Sequence, residues 1–528
     1  MKKKIAVIDT ETDPFLYGRV PIPFCAEFHC EKFTKQFWGN DCIEQLVNYI
    51  ETVQDEYLIY AHNGGKFDFI FISKYIDNPI RIINSRIVSA KLFHHTIRDS
   101  YSIIPIPLGM FEKVKFDYSK MEKEVRQKHK KEIMIYLHSD CVSLLKLVTA
   151  FVERFGPKIT VGATAIKELS KRHKFTRLNS RNDLTYRPFY FGGRVECFRS
   201  GILKGPWKVF DVNSMYPKAM RDYDHPVNGG FVISDKIPET GFYFIEFTGS
   251  NKRVLPIRTK DGLSFGQTYG RFFACCHEIR TALKYKLITI DEIHAVHVAL
   301  ETIRFEQFVD DFYSEKVAAK LSGDLLSELF SKFMLNSAYG KFATNPENFE
   351  DYYINHNLGD DIRLHNEGWF LQKEYEGFEI WSKPSEPDEK SYYDVSIAAS
   401  ITSAARAILL EGIQNAINPI YCDTDSLICK SLNMEISKSI LGAWKLEADA
   451  DYCAIAGKKL YAVYNDGAEL PIKLASKGGN LTLQEIKELC TGKVITSYNQ
   501  APTMSINYAP KFIKRNMRST VDNSIKPI

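Results

Sequence analysis

Short acidic stretches carry the residues of this chain that could do chemistry. In Asn418-Pro-Ile-Tyr-Cys-Asp-Thr-Asp-Ser-Leu-Ile-Cys429, apolar and β-forming residues flank Asp423-Thr-Asp425 on both sides. The stretch reads as two short strands joined by a tight turn with a carboxylate at each end. Two acids that close repel, and one pKa rises unless a cation sits between them, so a divalent metal is the economical explanation. A solvated acidic turn is the alternative. Asp9 and Glu11 lie two apart in Lys4-Ile-Ala-Val-Ile-Asp-Thr-Glu-Thr12, a buried-type strand ending in acids, and so share one face of extended chain. Asp68 closes Ala61-His-Asn-Gly-Gly-Lys-Phe-Asp68, whose glycines do not match a nucleotide-binding fingerprint and read as a turn presenting Asn63 and Asp68. Asp140 follows Tyr136 by four residues, on one helix face. Asp211 ends a strand in Lys208-Val-Phe-Asp-Val-Asn-Ser-Met-Tyr-Pro217; the sharp turn that follows exposes consecutive backbone N–H groups, a geometry that suits a triphosphate.

The elements that must hold these acids are legible by period. Residues 57–60 and 69–72 are strand-like or apolar runs on either side of the Asn63 turn. From Met121 to about Phe151 a charged helix turns amphipathic, with Ile133, Leu137, Cys141, Leu144 and Val148 at helical spacing. Gly156-Pro157 and a basic stretch around Ala165–His173 form a connector. Phe189-Tyr-Phe-Gly-Gly-Arg194 follows, where two glycines let the backbone approach a ligand and Tyr190 and Arg194 can meet sugar and phosphate. Ala318-Ala-Lys-Leu-Ser-Gly-Asp324 breaks one helix and starts another, with Ser322 as the cap. The new helix sets Lys332, Asn336, Tyr339 and Gly340 along one stripe, and Lys320 stands just before the break. Surface lysines are otherwise solvated, and Tyr216 could be core. Ser396–Leu410 is a small-residue helix with Thr402 and Arg406 four apart, and Lys459-Leu-Tyr461 puts a cation and a ring on one strand face.

The chain has 528 residues, 45% hydrophobic and 13% aromatic, enough for several cores and more than one domain. Net charge is only +4, yet residues 477–528 carry eight Lys/Arg against three acids, so the basic excess is C-terminal. Such a segment fits a surface that tracks a phosphate backbone; a solvated basic tail is the alternative. The eleven cysteines show no Cys-x-x-Cys pair, which points to reduced thiols rather than zinc or disulfides. Met1-Lys-Lys-Lys opens like a signal peptide, but the apolar run meets Asp9, and no membrane-spanning length is expected elsewhere.

Asp9, Glu11, Asp68 and Asp140, with Tyr136, resemble the three exonuclease motifs of proofreading 3′–5′ exonucleases with a ribonuclease-H-like fold. That resemblance implies two metal ions on four acids, a water oriented by Tyr136, and single-strand contacts from Thr12, Asn63, Phe67, Ser100 and Tyr101. Asn63 and Asp68 enclose four residues, one more than in some relatives. Lys113, in Lys-Val-Lys-Phe116, resembles a further exonuclease lysine of the protein-primed subgroup. Asp211-Val-Asn-Ser-Met-Tyr-Pro, Lys332-Phe-Met-Leu-Asn-Ser-Ala-Tyr-Gly and Tyr421-Cys-Asp-Thr-Asp-Ser look like motifs A, B and C of family B DNA polymerases. The order of motifs and the long spacers resemble the protein-primed branch, and the text around Asp9, Asn63, Phe189 and Asp211 is most similar to replicative polymerases of tectivirus-type phages.

The family implies a multidomain α/β (α+β) chain. A ribonuclease-H-like exonuclease domain (1–155) would precede a right-hand polymerase domain (156–528), with palm at about 190–221, 306–314 and 393–470, fingers at 315–343 and thumb at 471–528. Terminal-protein-region insertions would fall at about 222–305 and 344–392. It further implies Mg2+, two ions in each centre, with Mn2+ as a substitute. Asp211, Asp425 and Val212 would be ligands, with Asp423 in support. Val212, Ser214, Tyr216, Lys320, Lys332, Asn336 and Tyr339 would hold the dNTP; Tyr216 would exclude a 2′-hydroxyl. Tyr190, Gly192 and Gly193 form the Tyr-x-Gly-Gly motif that helps pass the primer strand between sites. Thr402 and Arg406 would contact template and primer, and Lys459 and Tyr461 would steady the primer end. The implied partners are DNA template and primer, dNTPs, a terminal protein as primer and a single-stranded-DNA-binding protein. The expected form is a monomer in the host-cell cytoplasm, without a membrane. Polymerases extending only nucleic-acid primers, or an inactive DNA-binding relative, are the alternatives.

Overall fold

The computed structural model describes residues 3–110, 115–176, 180–345, 349–357, 359–385, 393–504 and 511–520. Two compact units divide the chain, and the division is not one cut near residue 155. The first unit comprises Met1–Thr164, Asn345–Glu389 and Tyr498–Ile513, and the second comprises Ala165–Thr344, Lys390–Ser497 and Lys514–Ile528.

The first unit is built on a ten-stranded sheet. Its strands run in the order Phe370–Tyr375, Phe378–Pro384, Glu350–Asn355, Asp77–Ile83, Arg86–Leu92, His95–Asp99, Tyr57–Ala61, Lys4–Thr12, Pro23–Cys30 and Thr34–Trp38. The Lys4–Thr12 strand runs parallel to Tyr57–Ala61 and antiparallel to Pro23–Cys30. Residues 350–384, within the second expected insertion at about 344–392, continue this sheet. Asp351 and Tyr352 pair with Arg81 and Ile80, and the Asn78 carboxamide copies a backbone pair, donating to Ile354 O and accepting from Ile354 N at 2.9 Å each. Helix Lys130–Phe155 covers the two N-terminal strands, and Ile133, Leu137, Cys141, Leu144 and Val148 are all buried as their spacing requires. It begins nine residues later than Met121, because residues 122–129 form turns.

The second unit centres on a seven-stranded antiparallel sheet. The order is Lys473–Ser476, Leu460–Tyr464, Trp444–Gly457, Gly201–Val212, Ser426–Cys429, Tyr421–Asp423 and Val195–Cys197. Helices Glu306–Ser322 and Leu325–Phe342 form a hairpin. Its cap is Asp324, not Ser322: Gly323 takes a left-handed φ of 75°, Asp324 Oδ1 accepts from Ser327 N at 3.1 Å, and Ser322 Oγ donates back to Ala319 O. A smaller four-stranded sheet, Phe231–Ser234, Glu292–Ala299, Tyr243–Ser250 and Tyr269–Cys275, lies with helix Cys276–Lys284 in the same unit. Helices Lys130–Phe155 and Val395–Gln414 do reach membrane-crossing length and apolarity, contrary to the sequence expectation, but 56% and 94% of their apolar windows are buried in protein.

Candidate active sites

In the second unit the register of the sheet assembles an acidic centre. Asp211, near the end of its strand, stands opposite Ser426 on one side and Lys445 on the other. The Asp423-Thr-Asp425 turn is as tight as its sequence suggests. Thr424 has φ 58°, Asp425 N donates to Asp423 O at 2.6 Å, and Val212 N donates to Asp425 O at 2.8 Å. These bonds lock the ends of the two strands together, so Asp211 and Asp425 face a common space. Partial burial and then Asp211 push the Asp425 carboxyl up to about 6. Burial raises Asp211 too, against the relief given by Lys445, whose Nζ is 3.1 Å away. Carboxylates so placed are suited to a divalent cation.

Asp423 has its own cation. Lys459 Nζ reaches its two oxygens at 2.7 and 2.8 Å, and the Tyr421 hydroxyl is 3.3 Å from one of them. Lys459 is thereby engaged with the turn. Tyr461 is 4% exposed and packs its ring on Tyr421 at 4.7 Å.

Around the acids, Ser214 (φ 53°) leads into helix Met215–Asp222. The ring of Tyr216 stacks on Tyr339, centroids 3.9 Å apart and planes 9° off parallel. Lys320, Lys332 and Asn336 are exposed, and Lys332, Asn336 and Tyr339 lie along one stripe of their helix. Sequence reasoning missed two further cations. Lys316 Nζ donates to Ser214 Oγ at 3.3 Å, and its pKa is lowered first by burial and then by Lys332, Lys445 and Lys320. Its only signal was a helical spacing of four from Lys320. Lys445 carried none, because its place opposite Asp211 is a matter of sheet pairing.

The Tyr190–Gly193 segment abuts the acidic turn. Thr424 N donates to Arg194 O at 2.7 Å, and a Cβ on Gly193 would lie 2.8 Å from the Thr424 side chain, so only glycine fits there. Arg258 donates to Tyr190 O. Thr402 and Arg406, expected on the DNA, are buried instead. Thr402 Oγ1 donates to Ala399 O, while Arg406 pairs with Glu278 through two bonds and donates to Phe191 O at 2.6 Å and Gly192 O at 3.0 Å. A buried guanidinium needs a carboxylate and carbonyls, and these consume its donors.

In the first unit, one oxygen from each of Asp9, Glu11 and Asp140 lies within 4.8 Å of the others. The Asp9 carboxyl is raised well above the ordinary range, by desolvation first and then by Asp68, Glu11 and Asp140. Asp68, buried, is pushed up to about 7 while accepting from Thr10 Oγ1. Three carboxylates in mutual reach fit a hard cation. Tyr136 meets the Tyr118 hydroxyl at 3.0 Å and stacks on Phe116 at 4.6 Å. Lys113 lies outside the described residues.

The single-strand contacts fare unevenly. Ser100 is fully buried, its hydroxyl bonded to Ala61 O and 3.0 Å from His62 Nδ1, and Thr12 is buried with its hydroxyl on Asp13 O. Each hydroxyl satisfies local backbone. Asn63, at φ 60°, accepts from Arg86, whose guanidinium also lies over the Tyr101 ring at 4.7 Å. Phe67 is half-buried and meets Phe15 edge-on at 5.5 Å. Phe15, 44% exposed, was missed because the 13–22 loop has no periodicity to place it.

The sequence and the fold are both matched by known proteins. Residues 108–439 match the family model described as DNA polymerase type B, organellar and viral, and the chain belongs to that family. It is 41% identical to the DNA-directed DNA polymerase of Enterobacteria phage PRD1 over 548 residues, covering 98% of each chain. It is 24% identical to the DNA polymerase of Bacillus phage phi29 over 490 residues, 80% of each. The structure superposes on phi29 DNA polymerase complexed with primer-template DNA with a TM-score of 0.75 at 17% identity, covering 98% of this chain and all of that one. The protein is a DNA-directed DNA polymerase of the phage type, with the multidomain α/β architecture of an exonuclease fold joined to palm, fingers and thumb.

Proposed function

We propose that this polymerase replicates a linear phage-type genome from a protein primer and proofreads its product, with synthesis at Asp211 and Asp425 and 3′–5′ hydrolysis at Asp9, Glu11, Asp68 and Asp140. The observation that carries this reading is the presence of two carboxylate clusters, one in each unit, both with pKa values raised by burial and mutual repulsion. Mg2+, two ions in each centre and replaceable by Mn2+, would be held by those acids, with Val212 assisting at the first. When bound it lowers the pKa of the attacking hydroxyl or water and neutralises the departing oxygen.

The chain's own side chains do the rest. Lys332, Lys320 and Lys316 put positive charge where the β and γ phosphates develop theirs. The Tyr216 ring, braced by Tyr339, excludes a 2′-hydroxyl, and Asn336, Ser214 and the Val212 backbone seat the nucleotide. Tyr190 and the Gly192-Gly193 backbone guide the primer strand, with Lys459 beside the turn. Residues 477–528 hold duplex by its phosphates. In the first unit Tyr136 orients the water, with Lys113 in support, while Phe67, Tyr101 and Asn63 hold the frayed strand. The first nucleotide is joined to a hydroxyl side chain of a terminal protein, held by residues 222–305 and 344–392, which then favour strand displacement. A single-stranded-DNA-binding protein covers the displaced strand, and a monomer works in the host cytoplasm.

The test is incubation of the purified chain with its terminal protein, labelled dNTP and Mg2+. A covalent protein–nucleotide adduct is expected; extension of primed DNA without any adduct would refute protein priming.

A further inference from the structure

A second donor cluster, of different chemistry, lies beside the acids of the first unit. Glu27 and His29 stand two apart on the Pro23–Cys30 strand and so project from one face, Glu27 opposite Asp9 and His29 opposite Val7. Helix Lys130–Phe155 packs on these strands and supplies His138. Its Nδ1 is 2.8 Å from Glu27 Oε1, and His29 Nδ1 is 4.0 Å from the same oxygen. The two imidazoles meet edge to face, centroids 5.1 Å apart. One donor atom from each of the three residues lies within 4.8 Å of the other two.

Four ligands held tetrahedrally at zinc distances stand roughly 3.3 Å from one another. The separations of 2.8 and 4.0 Å bracket that value, so small side-chain rotations would close the set. The surroundings are those of a built site. Glu27 is fully buried, and its other oxygen accepts from Gln36 Nε2 at 2.7 Å, which also bonds Met134 O on the helix. Thr34 Oγ1 lies 2.7 Å from His29 Nδ1 and occupies that nitrogen, so His29 offers an ion either its Nε2 or an Nδ1 released from the threonine. His138 is 43% exposed, which gives an ion a way in and leaves room for a water as fourth ligand.

We infer that Glu27, His29 and His138 bind a transition-metal dication of the zinc class, clamping the helix that carries Tyr136 and Asp140 to the second strand of the sheet. Two imidazoles and one carboxylate select a borderline-soft ion, whereas Asp9, Glu11 and Asp140 offer only the hard oxygens that Mg2+ prefers. The inference goes beyond the proposed activities and does not depend on them. Its rival is a plain contact between the His138 ring and the Glu27 carboxylate with no ion bound.

The test uses the full chain, stripped with chelator and held in saturating Mg2+ so that the carboxylate centre is filled. It is titrated with Zn2+ by calorimetry and with Co2+ in the visible. One ion per chain is expected, with the intense d–d bands of a four-coordinate cobalt site. His138→Asn and His29→Gln should each weaken binding about 10- to 100-fold or more, while an Asp9→Ala, Asp140→Ala chain keeps it. The cobalt spectrum of the unaltered chain needs no variant and so stands even if a substitution unfolds the unit. No binding, binding indifferent to both histidine changes, or loss only in the Asp9, Asp140 variant would each overturn the inference.

Discussion

Arg406 and Glu278 form a bidentate ion pair in which each side chain is only 3% exposed, joining the long helix Val395–Gln414 to helix Cys276–Lys284. The same guanidinium holds the carbonyls of Phe191 and Gly192, so one arginine fixes both a helix contact and the Tyr190–Gly193 segment beside the acidic turn.

Removing one member leaves the other charge buried and unpaired, which costs about 3–5 kcal/mol. Glu278→Ala and Arg406→Ala are each expected to lower the unfolding midpoint sharply and depress primer extension. The double variant should be less destabilised than the sum of the two. Thermal unfolding of the four chains measures this; additive losses would show that the pair does not couple.

The close approach of Gly193 to Thr424 supplies a contrast between neighbouring glycines. Gly193→Ala is expected to lower stability by about 1–3 kcal/mol, the usual range for overpacking, and to reduce synthesis. Nothing lies within 4 Å of a Cβ on Gly192, so Gly192→Ala should change the melting temperature little. Thr424→Ser in the Gly193→Ala background should restore part of the loss.

Asp68, with its pKa near 7, and Asp425, near 6, set a pH dependence of stability. Both lie above the ordinary carboxylate value, so the folded chain binds more protons than the unfolded one between about pH 4 and 7. In chelator, stability should therefore fall as pH rises through that window. Mg2+ should restore it, and by more at pH 7.5 than at pH 5. Denaturant titrations at several pH values, with and without Mg2+, check the sign.

Phe15 adds an exposed ring to the half-buried Phe67. If the two form one platform for a frayed strand, Phe15→Ala weakens single-stranded DNA binding by about 1–3 kcal/mol, the worth of one base stack. It should also slow 3′–5′ degradation while leaving synthesis on paired primers unchanged. Degradation of single-stranded and duplex oligonucleotides by the two chains distinguishes this from a general defect.

Asp211→Ala should abolish extension and spare degradation, whereas Asp9→Ala should do the reverse. Loss of both activities in either variant would contradict two separate centres.

What the sequence made legible was local. The Asp423-Thr-Asp425 turn, the amphipathic face of Lys130–Phe155 and the stripe from Lys332 to Tyr339 all follow from spacing within a few residues. Lys445 opposite Asp211 depends on register between strands more than 200 positions apart. Arg406 reads on its helix as a surface cation because its partner, Glu278, is 128 residues away. Tyr461, Thr402 and Ser100 were assigned by resemblance to DNA, and tertiary packing buries them. The misplaced cap at Ser322 is by contrast a local miss: Gly323 in the left-handed region ends one helix and Asp324 begins the next.

The ten-stranded sheet bears on how the molecule can be cut. A fragment ending near residue 155 would leave Asp77–Ile83 as a bare edge, its ladder groups and the Asn78 carboxamide without the Glu350–Asn355 partner. Open edges of this kind invite pairing with other chains. On the ribosome, the N-terminal strands must wait some 270 residues of synthesis for that cover, and an expression fragment of residues 1–155 alone is expected to aggregate unless residues 345–389 are grafted back.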